Sequence, residues 1–319
     1  MINVLDSTKY VLDNSKRVKI DQRAIESLIS NFSDKGLKIS EISLTSKKLD
    51  LDVLLQIIFV FNVINFCFWA KKGESKWTVK IDDQEFDGAT ALFKCIEEEV
   101  ERNPSFLEGK ELANLSASRL RTILKGNVEI PLFDERLRCL NEVGNELVVF
   151  FENSFTNVLK MAKNDAFFLA EILVTNLTNF DDTSLYKGKT IGFYKRAQLN
   201  SKMISDALVA SGKSELKNLD KLTAFADYKV PQILRNLEVL KYSDNLANKV
   251  DSYNLLEKGS VDEVEIRSSS IWAVEFIRQE LKKKYGFVTS AHVDSMLWNL
   301  SQGVAKGDKP YHRTLTTAY

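Results

Sequence analysis

Histidine is scarce in this chain of 319 residues: His292 and His312 are the only two. Cysteine is nearly as rare, with Cys67, Cys95 and Cys139 scattered and no C-x-x-C pair. A zinc site takes about four clustered ligands, or three and a water, so neither a metal nor any other cofactor is expected. No Cys-His pair stands at a spacing suited to nucleophilic catalysis. Also missing are G-x-x-x-x-G-K-[ST], G-x-G-x-x-G, G-x-S-x-G and H-E-x-x-H. Their absence removes the usual support for an NTPase, a dinucleotide oxidoreductase, an α/β-hydrolase or a zincin.

An excess of charge of one sign is absent too. Lys+Arg and Asp+Glu number 44 each, giving a formal net charge of zero and a pI near 6.8. Long nucleic acids are held by neutralising many phosphates, so duplex DNA or long RNA is disfavoured as a partner, while a pocket for a single phosphate stays open. The most apolar run, Leu51 to Ala70, has about the length of a membrane span. It is interrupted by Asp52, Gln56, Asn62 and Asn65, each costly in hydrocarbon, so a buried core helix is expected and no membrane. A low, odd cysteine count and no recognisable secretory leader point to a reducing cytosol.

Only 4 prolines and 13 glycines, together with long segments of 3.6-residue period, predict a mainly α fold. With no repeat, low-complexity linker or charge block, residues 1–319 read as one compact domain. Ile25, Leu28, Ile29 and Phe32 share an apolar face after Asp21, a candidate cap. Helices are expected over 51–69, 89–101, 132–151, 155–175, 190–210, 216–222, 231–240, 264–285 and 290–300. Residues 77–86, Trp-Thr-Val-Lys-Ile-Asp-Asp-Gln-Glu-Phe, alternate around Asp82-Asp83 and predict a short β-hairpin.

Four segments carry chemistry. In Phe225-Ala226-Asp227-Tyr228-Lys229-Val230-Pro231 one carboxylate flanked by aromatic rings precedes a proline suited to the first position of a helix. Val230 is biased toward extended geometry by that proline, and Asp227 falls near the positive end of the helix dipole. Asp227 can be a simple helix cap. A fixed anion among aromatic rings also suits a cation forming during reaction, such as the oxocarbenium of a breaking glycosidic bond. On the helix 190–210, Lys195 and Gln198 are neighbours at i, i+3 and could address one ligand together; alternatively the Lys195-Arg196 pair is its solvated face. Asn65, beside Phe66, Phe68 and Trp69, could stack on a flat base and read its edge, or simply satisfy a core carbonyl. Asp294 and Trp298 stack at i, i+4, and Arg313, in Tyr311-His312-Arg313, can take a phosphate bidentately.

Taken in order, these segments resemble the queuosine salvage protein family, the queuosine 5′-phosphate N-glycosylase/hydrolases. The resemblance rests on Asn65-Phe66-Cys67-Phe68-Trp69, Lys195-Arg196-Ala197-Gln198 and Phe225-Ala226-Asp227-Tyr228-x-Val230-Pro231-Gln232-Ile233-Leu234. Glu265-Ile266-Arg267, Asp294…Leu297-Trp298, Tyr311-His312-Arg313-Thr314, Phe180-x-Asp182 and Pro131-Leu132…Glu135-Arg136…Leu140…Gly144 extend it. It runs from about residue 50 to the end, leaving 1–50 as an N-terminal helical segment outside the motifs. The resemblance implies a helical fold related to helix-hairpin-helix DNA glycosylases and metal-free hydrolysis of queuosine 5′-monophosphate to queuine and ribose 5-phosphate. On that reading Asp227 is catalytic, as electrostatic stabiliser, water-orienting base or nucleophile. Asn65 and Asp294 read the base edge, Phe66, Trp69, Tyr228 and Trp298 stack on it, and Lys195, His312 and Arg313 hold phosphate or ribose, with Gln198 and Gln232 as further substrate contacts. The competing readings are a DNA or RNA glycosylase on the same fold and a silent protein that binds a modified nucleobase.

Overall fold

A computed structural model describes residues 1–30, 49–304 and 307–319. Phe32, assigned above to an apolar helix face, lies outside the described residues. Over the remainder the chain is mainly helical, with three small antiparallel two-stranded ladders. The expected hairpin pairs Thr78–Ile81 with Gln84–Asp87, and Asp82 and Asp83 turn it at positive φ.

Several helices fall within a residue or two of their expected limits: Gly88–Arg102, Phe133–Phe150 and Ser290–Ser301. Val261–Tyr285 begins three residues earlier than 264, capped by Ser260, with Asp262 and Glu263 in its first turn and Lys282, Lys283 and Lys284 in its last. Both ends complement the helix dipole. Gly144 sits where the Gly109–Ala113 helix crosses Phe133–Phe150; a Cβ there would lie 2.2 Å from the Ala113 nitrogen.

Five helix expectations need correction, the last of them, the reach of 51–69, at the site itself. The single helix over 155–175 is two, Phe155–Ala162 and Ala166–Asn176. Lys163 and Asn164 take left-handed φ, and the Asp165 carboxylate caps the second helix through the Phe168 amide at 2.9 Å. Residues 190–192 are not helical: Lys189–Gly192 pairs with Thr183–Tyr186 around Lys187-Gly188, both at positive φ, the geometry of a tight hairpin turn. Residues 216–222 hold only a 3₁₀ turn, Leu219–Lys221. The helix expected over 231–240 spans Lys229–Asn236, with Val230 inside it rather than extended, and Leu240 opens a strand instead; proline in the first turn forfeits no intrahelical bond.

The Leu51–Val63 helix is the centre of the core. It packs against Lys195–Ala210 and Gly88–Arg102, and Phe59 stacks on Phe155 at 4.0 Å between ring centroids. No described helix is long and apolar enough to cross a membrane. The N-terminal segment, silent in sequence, is built into the rest. Val4–Asn14 packs along Val261–Tyr285, and Val18–Ile20 pairs with Leu240–Tyr242. Glu265 anchors the turn between them, accepting from the Ser15 hydroxyl at 2.6 Å and the Arg17 amide at 2.8 Å.

Candidate active site

A cavity with about 140 Å³ open to the centres of water molecules lies among the Leu51–Val63, Lys195–Ala210, Lys229–Asn236 and Ser290–Ser301 helices. That is far above the roughly 10–15 Å³ that one water requires on this measure. Asn65, Phe66, Lys195, Asp227, Tyr228, Asp294 and Trp298, drawn from four distant stretches of sequence, all line it.

Asp227 ends an irregular segment, Leu222–Asp227, that leads into the Lys229–Asn236 helix. Its Oδ1 accepts from the amides of Lys229 at 2.8 Å and Val230 at 2.9 Å, as a helix N-terminus favours. Both bonds fall on one oxygen, leaving Oδ2 without an amide. Burial pushes the carboxyl above its ordinary value, opposed by Lys195 and the two amides. Lys195 is itself 6% exposed. Burial lowers its ammonium to about 8, and the Asp227 charge opposes that fall. Asp294 is pushed further up than Asp227, first by burial and then by the Asp227 charge; its Oδ1 accepts the Phe225 amide at 2.8 Å. Like charges in one site cannot both be cheap. Of the two, Asp227 has its rise opposed by Lys195 and two backbone amides, and Asp294 is displaced further toward its neutral form.

The aromatic wall has a different origin. The helix expected through residue 69 stops at Val63, and Asn65 to Trp69 run on as irregular chain with Cys67 at φ 48°. Two buried guanidinium groups replace the helical partners of the carbonyls here. Arg196 donates to Asn62 at 3.2 Å and to Val63, while Arg136 donates to Ile64, Phe66 and, at 3.0 Å, Cys67. Arg196 is therefore not on a solvated face; it is buried and caps this chain end. Phe66 is left against the cavity, with the Arg136 guanidinium 4.5 Å from its ring centre.

Five residues singled out from sequence do not line the cavity. Gln198 braces the chain instead: Nε2 donates to the Phe193 carbonyl at 2.8 Å, and Oε1 accepts the Thr223 amide at 2.8 Å. Its helix is buried on several sides, so a neighbour of Lys195 faces protein. Gln232 donates to the Lys309 carbonyl at 3.1 Å. His312 is buried against the Tyr319 hydroxyl at 3.2 Å, and burial lowers it to about 3, so it carries no charge for a phosphate. Arg313 stacks on Tyr253 at 4.4 Å and lies 6.0 Å from the Trp69 ring, which draws both away from the cavity.

Sequence reasoning passed over Lys76, Lys229, Tyr319 and the start of the Gly88–Arg102 helix, all on the cavity wall. Lys229 stood in the quoted motif and was an available signal. Tyr319 reaches the wall through folding of the last residues, its carbonyl accepting the Cys67 amide at 2.9 Å. Among the described residues no group of three His, Cys, Asp or Glu side chains could hold a metal ion.

A family model described as queuosine salvage protein matches residues 45–319. A Sphaerobacter thermophilus protein named queuosine 5′-phosphate N-glycosylase/hydrolase is 33% identical over 322 positions, spanning 100% of this chain and 98% of its own. Proteins of the same name from Nematostella vectensis and Bos taurus are 32% and 30% identical, each alignment spanning 98% of this chain and 97% and 98% of theirs. These alignments take in the N-terminal segment that the family model omits.

Proposed function

The chain belongs to the queuosine salvage protein family, and from that premise we propose that it hydrolyses the N-glycosidic bond of queuosine 5′-monophosphate. The products are queuine and ribose 5-phosphate, and the whole chain acts as one domain. The observation that carries the reading is Asp227: a buried carboxylate on a cavity wall, fixed through one oxygen by two helix amides, with the Lys195 charge and those amides favouring its anion against burial. Breaking the bond from C1′ to the base nitrogen sends the electron pair off with the 7-deazaguanine and leaves positive charge on the sugar. A preorganised anion lowers the energy of that state more than of the neutral substrate, which is what accelerates a reaction. Water then supplies hydroxide to C1′ and a proton to the base.

A 7-deazaguanine has no N7 to protonate, so its departure is assisted from another edge. Asp294, carrying a proton, presents a donor as well as an acceptor to that edge, beside Asn65. Phe66, Tyr228 and Trp298 supply stacking surface, worth roughly 1–3 kcal/mol per base in single-strand binders. Lys195 holds the 5′-phosphate or a ribose oxygen as a point charge. Free thiols, all buried, suit a cytosolic protein. A net charge of zero suits a mononucleotide better than a polyanion.

The test is chromatography of the purified protein with queuosine 5′-monophosphate, queuosine and GMP, each with EDTA. Release of queuine from the monophosphate in preference to the nucleoside is expected. Tight binding without release would replace the hydrolase by a binding protein, and neither would remove the substrate assignment.

A further inference from the structure

Asp182 and Arg267 lie 85 positions apart, are both buried, and stand behind the cavity wall rather than on it. Their pairing is bidentate: Nη1 donates to Oδ1 at 2.9 Å and Nη2 to Oδ2 at 2.7 Å. Beyond the pair, the Asp182 carboxylate and the Arg267 Nε each make one hydrogen bond toward the site, and Arg267 Nη1 also lies 3.6 Å from a Glu263 carboxylate oxygen. Asp182 Oδ2 accepts the Lys195 backbone amide at 3.1 Å, and its carbonyl accepts the Phe193 amide at 2.9 Å. Arg267 Nε donates to the carbonyl of Ala226 at 3.1 Å, the residue before Asp227. The guanidinium is held close to the rings of Phe193, at 3.9 Å, and Tyr319, at 4.5 Å.

We propose that the Asp182–Arg267 pair is a positioning clamp that sets the Asp227 carboxylate against the Lys195 ammonium across the cavity. Stability alone is a weak reason for such a pair, because desolvating two charges offsets most of their attraction. A planar fork with three directed bonds fixes distance and angle, which lysine in its place could not do. Lys195 begins one helix and Asp227 precedes another, and among the described residues this pair joins the two starts by an unbroken hydrogen-bonded route. The clamp rests on the assignment of Asp227 and Lys195 above. It makes Asp182 and Arg267 positioning residues, since neither reaches the bound nucleotide.

The experiment compares Arg267→Lys, Asp182→Asn and, as reference, Asp227→Asn for kcat, KM, pH profile and thermal melting on the full chain. Misplacing reacting groups by an ångström costs up to about a hundredfold in rate. Arg267→Lys and Asp182→Asn are therefore expected to lose about tenfold to a hundredfold in kcat, with KM for queuosine 5′-monophosphate within about threefold. The alkaline limb of the pH profile should also move, because Lys195 is no longer held at its distance from Asp227. Unchanged kcat in either folded variant would overturn the clamp. So would a loss confined to KM with an unmoved pH profile, and so would a failure of both variants to fold, which marks a purely structural pair. If Asp227→Asn turns over normally while the two clamp variants do not, the failure belongs to the assignment of Asp227.

Discussion

Replacing Asp227 by Asn removes a charge while leaving the local hydrogen bonds an acceptor. The amide oxygen can still take the Lys229 and Val230 amides that now bond Oδ1, so the start of the Lys229–Asn236 helix should survive. What disappears is the anion facing the cavity. At roughly 4 Å and an effective dielectric of about 20, attraction between unit charges is about 4 kcal/mol. The sugar carries only part of a charge in the transition state, so the loss should lie somewhat below that. Removing one preorganised electrostatic group from an active site costs about 2.7–4 kcal/mol, or ~10²–10³ in kcat. Asp227→Asn is therefore expected to lower kcat by about a hundredfold to a thousandfold. KM should move little, since the substrate is uncharged at C1′. The variant also strips Lys195 of the neighbour that opposes its burial, so its ammonium should fall below its present value of about 8. Single-turnover release of queuine is best followed near pH 6.5, where Lys195 stays protonated. A kcat within about threefold of wild type, or a loss confined to KM, would refute the role given to Asp227.

The remaining expectations concern the residues around it. Activity requires Asp227 ionised and Lys195 protonated, so kcat/KM should rise through an acidic limb displaced above 3.8 and fall through an alkaline limb near pH 8; a profile still flat at pH 9.5 would contradict this. Lys195→Met should weaken queuosine 5′-monophosphate more than queuosine in calorimetric titration, and equal losses would move Lys195 to the base or ribose. Gln198→Ala leaves the buried Thr223 amide without its acceptor, costing about 1–3 kcal/mol and lowering Tm by several degrees; unchanged melting with a raised KM would restore it as a ligand contact. Asp294 sits well above 3.8 in the fold, so the folded chain holds a proton that the unfolded chain releases, and stability falls as pH rises above that value. Asp294→Asn removes this slope, so its Tm should exceed that of wild type at pH 7.5 and approach it near pH 4.5; the same difference at both would refute the linkage.

Where helix limits were legible, the signal was local. Gly88–Arg102 and Ser290–Ser301 carry their period and their ends within the segment itself. The missed boundaries belong to long-range partners or to left-handed turns. Nothing in Asn65-Phe66-Cys67-Phe68-Trp69 says helix or not. The decision is made by the guanidiniums of Arg136 and Arg196, which take the Asn62, Val63 and Ile64 carbonyls that a helix to residue 69 would have used, together with those of Phe66 and Cys67. Lys163-Asn164 and Lys187-Gly188 break regular structure by two successive residues at positive φ, a weak mark in a sequence with no proline there. Within the site, seven residues named from sequence meet at one cavity. Gln198 shows why spacing alone is insufficient: i and i+3 share a helix face, but on a helix buried on several sides that face meets different neighbours residue by residue. The partnership of Asp182 with Arg267 spans 85 positions, beyond any local pattern.

The segment Leu222–Asp227 explains how so polar a site can be tolerated in the core. It is neither helix nor strand, so its backbone groups need partners from outside. Gln198 takes the Thr223 amide, Asp294 the Phe225 amide, and Arg267 the Ala226 carbonyl. Each brace is a buried polar side chain from a different helix, and one of them, Asp294, is at the same time a wall of the cavity. Burying Asp294 and Lys195 beside Asp227 costs stability, as their displaced titrations record. The same low dielectric strengthens the field of Asp227 on a charge forming at the sugar. A loop of helix or strand would have satisfied its backbone internally and freed these side chains, but it would also have lost the three directed bonds that fix where the Asp227 carboxylate stands. The irregular backbone and the buried charges are therefore one arrangement: the first creates the hydrogen-bonding demand that the second partly meets, and relieving either should stabilise the chain while dulling its chemistry.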